Sequence, residues 1–461
     1  MIMIKPLNCS KKSFQFVRSL AFVSALLVSE SQFSGFCQVL DTSVEDKIDL
    51  PILSNSPSIS LQNLIGDPDW LDLKASIVSQ NNGTPDSNDH SIFTSSNLAT
   101  LDLRLWLNHW QSNGDKNGFN INVIGTQRFG EILSNEIPNK LNTQWSFGNG
   151  PVGRLSVLSL EYANSDSFLS QFKIGKLKQS IDFTMDGVFC NFSNFGLCGW
   201  AEGTPSMIAI PGNPFNTYGA MARLGDPDRF SFKYGIYQIY PESFAPKYHG
   251  LDFRISNNTG YAQFFQLDAR LPSTSLIPSV QSQHGGVRRS SLSEEPNVLY
   301  KSPLTPPVIK LGGWIGDGVY DNVDLVGYGS SNNGIYGLMS IPFDPGKLAI
   351  DGRLFASGGL GLSQDVQSFR GGGNAGVVLA GVFANRPFDT LSFGYAYADY
   401  NNQLPTEGFR PSIEHALELN YNFSITPNFK LMPNLQVIMQ PLGNDDAPAV
   451  WVGGLQAVIS F

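Results

Sequence analysis

The side chains that could do chemistry recur at every second position of otherwise apolar segments. They are Arg104 and Trp106, Glu161, Lys173, Arg229 and Lys233, Lys310 and Trp314, Asp351 and Arg353, and Glu418. Acid, base and indole interleaved in this way offer hydrogen-bond donors, acceptors and apolar ring faces, which suits reversible contact with a polar solute. Covalent chemistry is poorly served. The five histidines, His90, His109, His249, His284 and His415, stand in no nucleophile motif. No Cys/His spacing reads as a metal site, and Gly371-Gly372-Gly373, read as a loop, has no following Lys-Ser or Lys-Thr to cradle phosphate. No catalytic residue, metal or cofactor is therefore expected.

The elements that carry these residues are strands. Reading back from the C-terminus, Phe461, Ile459, Ala457, Leu455, Gly453 and Trp451 fall on one face, and Ser460, Gln456 and Gly454 fall on the other. Ten steps at about 3.3 Å, tilted near 45°, cover roughly 24 Å of depth, so Trp451 and Phe461 bracket an apolar band. Leu417, Leu419, Tyr421 and Phe423 oppose Glu414, Glu418, Asn420 and Asn422. Leu101, Leu103, Leu105 and Leu107 oppose Asp102, Arg104, Trp106 and Asn108. An apolar face alternating with a charged one is the lipid-and-lumen pattern of a wide barrel, whereas a soluble sandwich needs a dry interior.

Such strands are expected near 70–79, 99–110, 117–127, 154–163, 167–177, 217–225, 228–239, 259–268, 307–316, 333–341, 347–357, 374–384, 390–400, 412–423, 428–440 and 449–461. Short Pro-, Asn-, Asp- and Gly-rich turns at 163–165, 225–228, 342–346, 385–389 and 424–428 alternate with longer loops at 178–216, 317–332, 358–373, 401–411 and 441–448. The reading is an all-β chain: one transmembrane antiparallel barrel of about sixteen strands, with short periplasmic turns and long extracellular loops. The connection 269–306, containing Arg288 and Arg289, is too long for a periplasmic turn and reads as an insertion. Arg386 and Asp389 are expected to close their turn with a salt bridge.

Lys5, Lys11, Lys12 and Arg18 followed by an apolar run from Leu20 to Val28 read as a secretory leader over 1–37, cleaved near 31–37. A short periplasmic segment over 38–69 would precede the barrel at 70–461. In an oxidising compartment Cys190 and Cys198, eight positions apart, are expected to form a disulfide. That bridge would stiffen 178–216, the candidate for a loop folded into the lumen, which also carries Trp200 and Glu202. A formal charge of −9 argues against a nucleic-acid partner.

Leu160-Glu161-Tyr162, Phe172-Lys173-Ile174-Gly175-Lys176-Leu177, Val308 to Trp314, Gly381 to Thr390, Glu414 to Tyr421 and Met432 to Gln436 add a second line. With this spacing, about two thirds of the chain, from Arg154 onward, resembles the carbohydrate-selective porins of the OprB family. The resemblance implies an outer-membrane barrel that passes small neutral sugars by passive diffusion, with no cofactor. A general or ion-selective porin is the alternative. The terminal Phe461 looks like the signal read by the barrel assembly machinery, outer-membrane lipid would surround the wall, and a homotrimer is possible for such barrels. A lipid-rim hydrolase would need a Ser-His-acid set that no motif here supplies. A plugged transporter would need a plug before the barrel, and a structural barrel an envelope-binding repeat.

Overall fold

Pleated backbone places successive side chains on opposite faces, and a closed ring of such strands leaves no unpaired edge in lipid. A computed structural model shows this solution. It describes residues 60–461 except 86–90, 113–114, 147–151, 185–186, 199–214, 241–244, 256–259, 272–306, 344, 350, 384 and 407, and except the side chains of Ser91, Asp115, Cys190 and Asp351. The leader over 1–37, most of the 38–69 segment, Trp200, Glu202, and Arg288 and Arg289 with nearly all of the 269–306 connection lie outside the described residues.

A one-turn helix, α1 (Leu61–Leu64), precedes β1 (Leu71–Pro85), β2 (Ser91–Ser112), β3 (Asp115–Gly130), β4 (Gly153–Ala163), β5 (Leu169–Leu177), β6 (Thr217–Asp226), β7 (Phe230–Gln238) and β8 (Tyr261–Arg270). The second half is β9 (Val308–Asp321), β10 (Tyr328–Phe343), β11 (Asp351–Gly361), β12 (Phe369–Ala380), β13 (Thr390–Tyr400), β14 (Ile413–Thr426), β15 (Phe429–Met439) and β16 (Val450–Ser460). All sixteen pair with their sequence neighbours and β1 closes on β16, from Ser76 opposite Ser460 to Gly83 opposite Gly453. The expected strand count and antiparallel order hold.

The apolar alternation lies outside. Leu101, Leu311, Leu354, Leu419 and Leu435 are exposed on the outer wall, and Trp451 is 56% exposed near the end of β16 opposite Phe461. Turns of a few residues join β4 to β5, β6 to β7 and β14 to β15, on the side that holds both barrel ends, which is the periplasmic side by this pattern. In the turn before β13, Arg386 Nε lies 2.7 Å from Asp389 Oδ2, as expected, and Asp389 Oδ1 also accepts the Ser424 N–H at 2.9 Å.

The boundaries differ most from the sequence reading at three places. The loops expected at 317–332 and 358–373 shrink to 322–327 and 362–368. Gly371, Gly372 and Gly373 belong to β12, not to a loop, and face Leu360, Gly359 and Gly358 of β11. A run of glycines reads as loop because it lacks side chains to alternate, yet its backbone completes the ladder equally well. The opening of β2, with Thr94, Ser95, Ser96 and Asn97, also looks like loop but pairs with β1 as far as Pro85.

Candidate constriction and channel wall

Inward-facing positions of β14 present two glutamates, and each is held mostly by backbone N–H groups. Glu418 accepts the N–H of Ser193 at 2.8 Å and of Asn194 at 2.6 Å, and the side-chain amide of Asn420 at 2.7 Å. Glu414 accepts the N–H of Lys140 at 2.8 Å, of Leu141 at 2.6 Å and of Leu442 at 2.6 Å. Apart from Asn420 of β14 itself and Leu442 of the short β15–β16 connection, the donors come from two long connections, 131–152 between β3 and β4 and 178–216 between β5 and β6. Both therefore enter the barrel.

The β5–β6 connection begins with α2 (Gln179–Asp182), continues through Phe183 and a 3-10 turn at Gly187–Asn191, and is described as far as Cys198. Phe183 packs on Phe264 and Tyr237, with ring centroids 5.6 and 6.1 Å apart. Phe189 and Phe192 pack edge-on against Phe355 of β11 at 5.6 and 5.5 Å. Contacts with β7, β8, β11 and β14 from one short segment are possible only across the lumen. The wall makes room with glycine: a Cβ on Gly394 would stand 2.8 Å from both Leu197 and Phe192, and one on Gly235 would stand 2.9 Å from Phe183.

The β3–β4 connection, which the sequence does not single out, also runs inward. Its Thr143 carbonyl accepts from Asn82 at 2.8 Å and Gln436 at 2.9 Å, its Ser146 N–H donates to Gln80 at 2.8 Å, and Trp145 Nε1 donates to Gln456 at 3.1 Å. The two loops also join each other: Trp145 N–H donates to the Ser193 carbonyl at 3.0 Å, and Phe195 N–H to that of Asn142 at 2.7 Å. Half-buried Lys140 sits in this loop, where desolvation lowers its ammonium to about 8 against the raising effect of Glu414.

Opposite this filled side, β2 to β5 carry charges in a chain. Glu161 is held by Ser159 at 2.8 Å and Asn122 at 3.3 Å, and lies 4.0 Å from Lys173. Arg104 acts electrostatically on both Glu161 and Lys173. Lys173 reaches Asp182 of α2 at 3.0 Å, and Asp182 also accepts the Tyr237 hydroxyl at 2.8 Å. Fully buried Lys233 donates to the Asp182 carbonyl at 2.9 Å and pairs with Asp268 at 3.1 Å.

The remaining candidates separate. Trp106 donates to Asp72 at 2.6 Å, near the periplasmic end of β2. Trp314 is buried between Phe264 and Tyr336, at 6.4 and 6.5 Å, and donates to Asn332 at 3.1 Å. Lys310 is buried opposite Asp268 in the register, and Arg353 is buried against Ser340. Arg229, with a side chain 86% exposed, stands on the periplasmic turn beside Asp226 rather than on the wall. Only the backbone of Asp351 is described, at the start of β11. The acids do not form a set of their own: Glu161 neighbours Lys173, and Glu418 faces loop backbone. Cys198 is buried, and the side chain of its expected partner Cys190 lies outside the described residues. Among the described residues no three His, Cys, Asp or Glu side chains gather where a metal could sit.

Comparison with known proteins agrees with this architecture. The chain is similar to a putative porin, QuiX, of Acinetobacter baylyi, 24% identical over 343 residues that make up 69% of this chain and 72% of that one. The fold is similar to that of Pseudomonas putida OprB in its high-pH structure, with a TM-score of 0.68 and 20% identity over 85% of this chain and 94% of that one. Salmonella typhi OmpF, solved with daunomycin, superposes with a TM-score of 0.50 at 11% identity over 85% of this chain and 97% of that one. The model of the family described as carbohydrate-selective porin, OprB family, matches residues 107–461, beginning well before the Arg154 at which the motifs start to be recognisable. Matched over three quarters of its length and closed into the barrel such a channel needs, the chain belongs to the carbohydrate-selective porins of the OprB family, outer-membrane channels for sugar diffusion and not enzymes.

Proposed function

We propose that the sugars passed are small and neutral, and that they move between the two inward loops and the wall of β2 to β5. The observation that carries this reading is the asymmetry of the lumen. Loop backbone and buried amides fill the side of β13 to β16 and β1, while Arg104, Glu161 and Lys173 stand on the other. Donor and acceptor alternate along that wall, so a hydroxyl can exchange one water for either kind of partner. Each exchange is nearly neutral, which gives binding weaker than about millimolar and fast release. Trp106, Lys233, Lys310, Trp314, Arg353 and Glu418 then act by holding the loops and the wall in place. Arg229 and Asp351 would act at the periplasmic mouth.

The reading extends to the partners. The leader directs export, Phe461 presents the last strand to the barrel assembly machinery, and three copies of the barrel associate. Liposome swelling with a graded series of neutral sugars tests the transport reading. Monosaccharides should enter and large oligosaccharides should not. Channels that pass large salt currents but exclude monosaccharides would make this a general or ion-selective porin.

A further inference from the structure

Above the charged chain, toward the extracellular end, three cations share one patch of the inner wall. Arg128 ends the inward series Asn120, Asn122, Thr126 on β3, and Arg154 opposes Thr126 from the start of β4. Lys178 follows the end of β5 and is close enough to Arg128 for repulsion to count, as Arg154 also is. Arg128, Arg154 and Lys178 are all buried. Asp102 is the acid that acts on Lys178.

Like charges gathered out of water raise the local positive potential, whatever other contacts they make, and draw an anion. Arg154 shows where that anion would bind. Its guanidinium lies over the Phe215 ring, 4.8 Å from the centroid, which fixes the plane of the fork. Two donors of that fork, Nε and Nη2, are buried and lack a hydrogen-bond partner among the described residues. A planar fork with free edge donors matches the two oxygens of a carboxylate or phosphate.

We propose that Arg128, Arg154 and Lys178 form a binding station for the oxyanion of an anionic sugar, a carboxylate or a phosphate, ahead of the neutral-sugar path. Burial and the Arg128 charge lower the Lys178 ammonium to about 7, against the raising effect of Asp102, so an arriving anion would also restore its charge. The station extends the range of solutes beyond neutral sugars, and it does not depend on how those pass.

The test compares glucose, glucuronate and glucose 6-phosphate in liposome swelling, with reversal potentials in potassium glucuronate as a second readout. In the native channel, glucuronate or glucose 6-phosphate should enter at least as fast as glucose, and the potential should show anion preference. Entry of only one of the two anions identifies carboxylate or phosphate as the ligand class. The double variant Arg128→Gln with Arg154→Gln should lower anion entry relative to glucose by about tenfold, the worth of one charge-assisted hydrogen bond, with glucose entry kept. Arg128→Lys with Arg154→Lys, which keeps the charges, should retain part of the preference and shows that the wall still folds. Exclusion of both anions by a native channel that passes glucose overturns the proposal, as does an anion-to-glucose ratio that the Gln variant leaves unmoved. Failure of glucose itself to enter would instead sink the neutral-sugar reading, while the reversal potential still decides this one.

Discussion

Glu418→Ala should widen the channel without unfolding the barrel. The carboxylate takes three donors: Ser193 N–H, Asn194 N–H and the Asn420 amide. A buried donor that loses its acceptor costs about 1–3 kcal/mol, and channel water that follows the vacated side chain keeps each cost near the low end. Only Ser193 and Asn194 belong to the loop, so about 2 kcal/mol in all raises the ratio of open to closed loop by about thirtyfold. The barrel itself should be unaffected, since Glu418 belongs to a β14 ladder paired with Gly394 on one side and Gln436 on the other.

Two assays read this change. Single-channel recordings should show a larger and noisier conductance, and swelling assays a higher size limit for oligosaccharides. Glu418→Gln, which keeps one acceptor but turns an NH2 toward the same donors, should fall between. Glu414→Ala frees the other loop, and because the loops bond to each other through Ser193 and Asn142, the double variant should exceed the sum of the two. Native conductance and native size limit in Glu418→Ala would refute the assignment of this residue as a loop anchor.

Gly394→Ala should push Leu197 and Phe192 from positions 2.8 Å from the new Cβ, loosening the loop at an overpacking cost of about 1–3 kcal/mol, read as faster proteolysis within 187–198. Mass mapping without reductant should recover Cys190 linked to Cys198, and two free thiols would remove that bridge from the account. Because Lys178 is charged only below its lowered value of about 7, anion preference should rise as pH falls from about 8 to about 6, and Lys178→Met should flatten the response. Lys173→Met removes the cation that Asp182 and Glu161 share, which costs about 3 kcal/mol, the low end for a buried pair, since Arg104 still acts on Glu161. It should lower sugar flux and shift ion selectivity toward cations, while Gln or Met at exposed Arg229 changes neither.

The strands were legible because lipid on one side and water on the other enforce a period of two, and turn residues mark where it stops. Legibility failed where side chains stop reporting the environment. In β11 and β12, Gly358 and Gly359 face Gly373 and Gly372, with nothing to alternate. In β2, Thr94 and Ser96 face inward onto Gln144 and Ser146, so a polar run that resembles loop is wall holding a loop. The alternation also shows that Glu418 faces in, but not whether water or Ser193 meets it, since that contact spans 225 positions. The inward course of 131–152 left only a weak trace: Leu133, Leu141 and Trp145, apolar and unpatterned within a polar connection, two of them buried.

That division of the wall also explains why an acidic chain can hold a basic passage. The formal charge of −9 counts Glu414 and Glu418 as fully as any surface acid. A carboxylate is acceptor-only, so it suits loop backbone, whose N–H groups would otherwise be buried unpaired. Once three N–H dipoles converge on each carboxylate, much of its negative potential is cancelled where the loop sits between it and the open lumen. Glu161 and Asp182 are likewise neutralised by Lys173 and its neighbours. On the proposed path, the field is then shaped by Arg104, Arg128, Arg154 and Lys178. Net charge reports how the molecule behaves in solution; the potential a solute meets depends on which charges the two loops have covered.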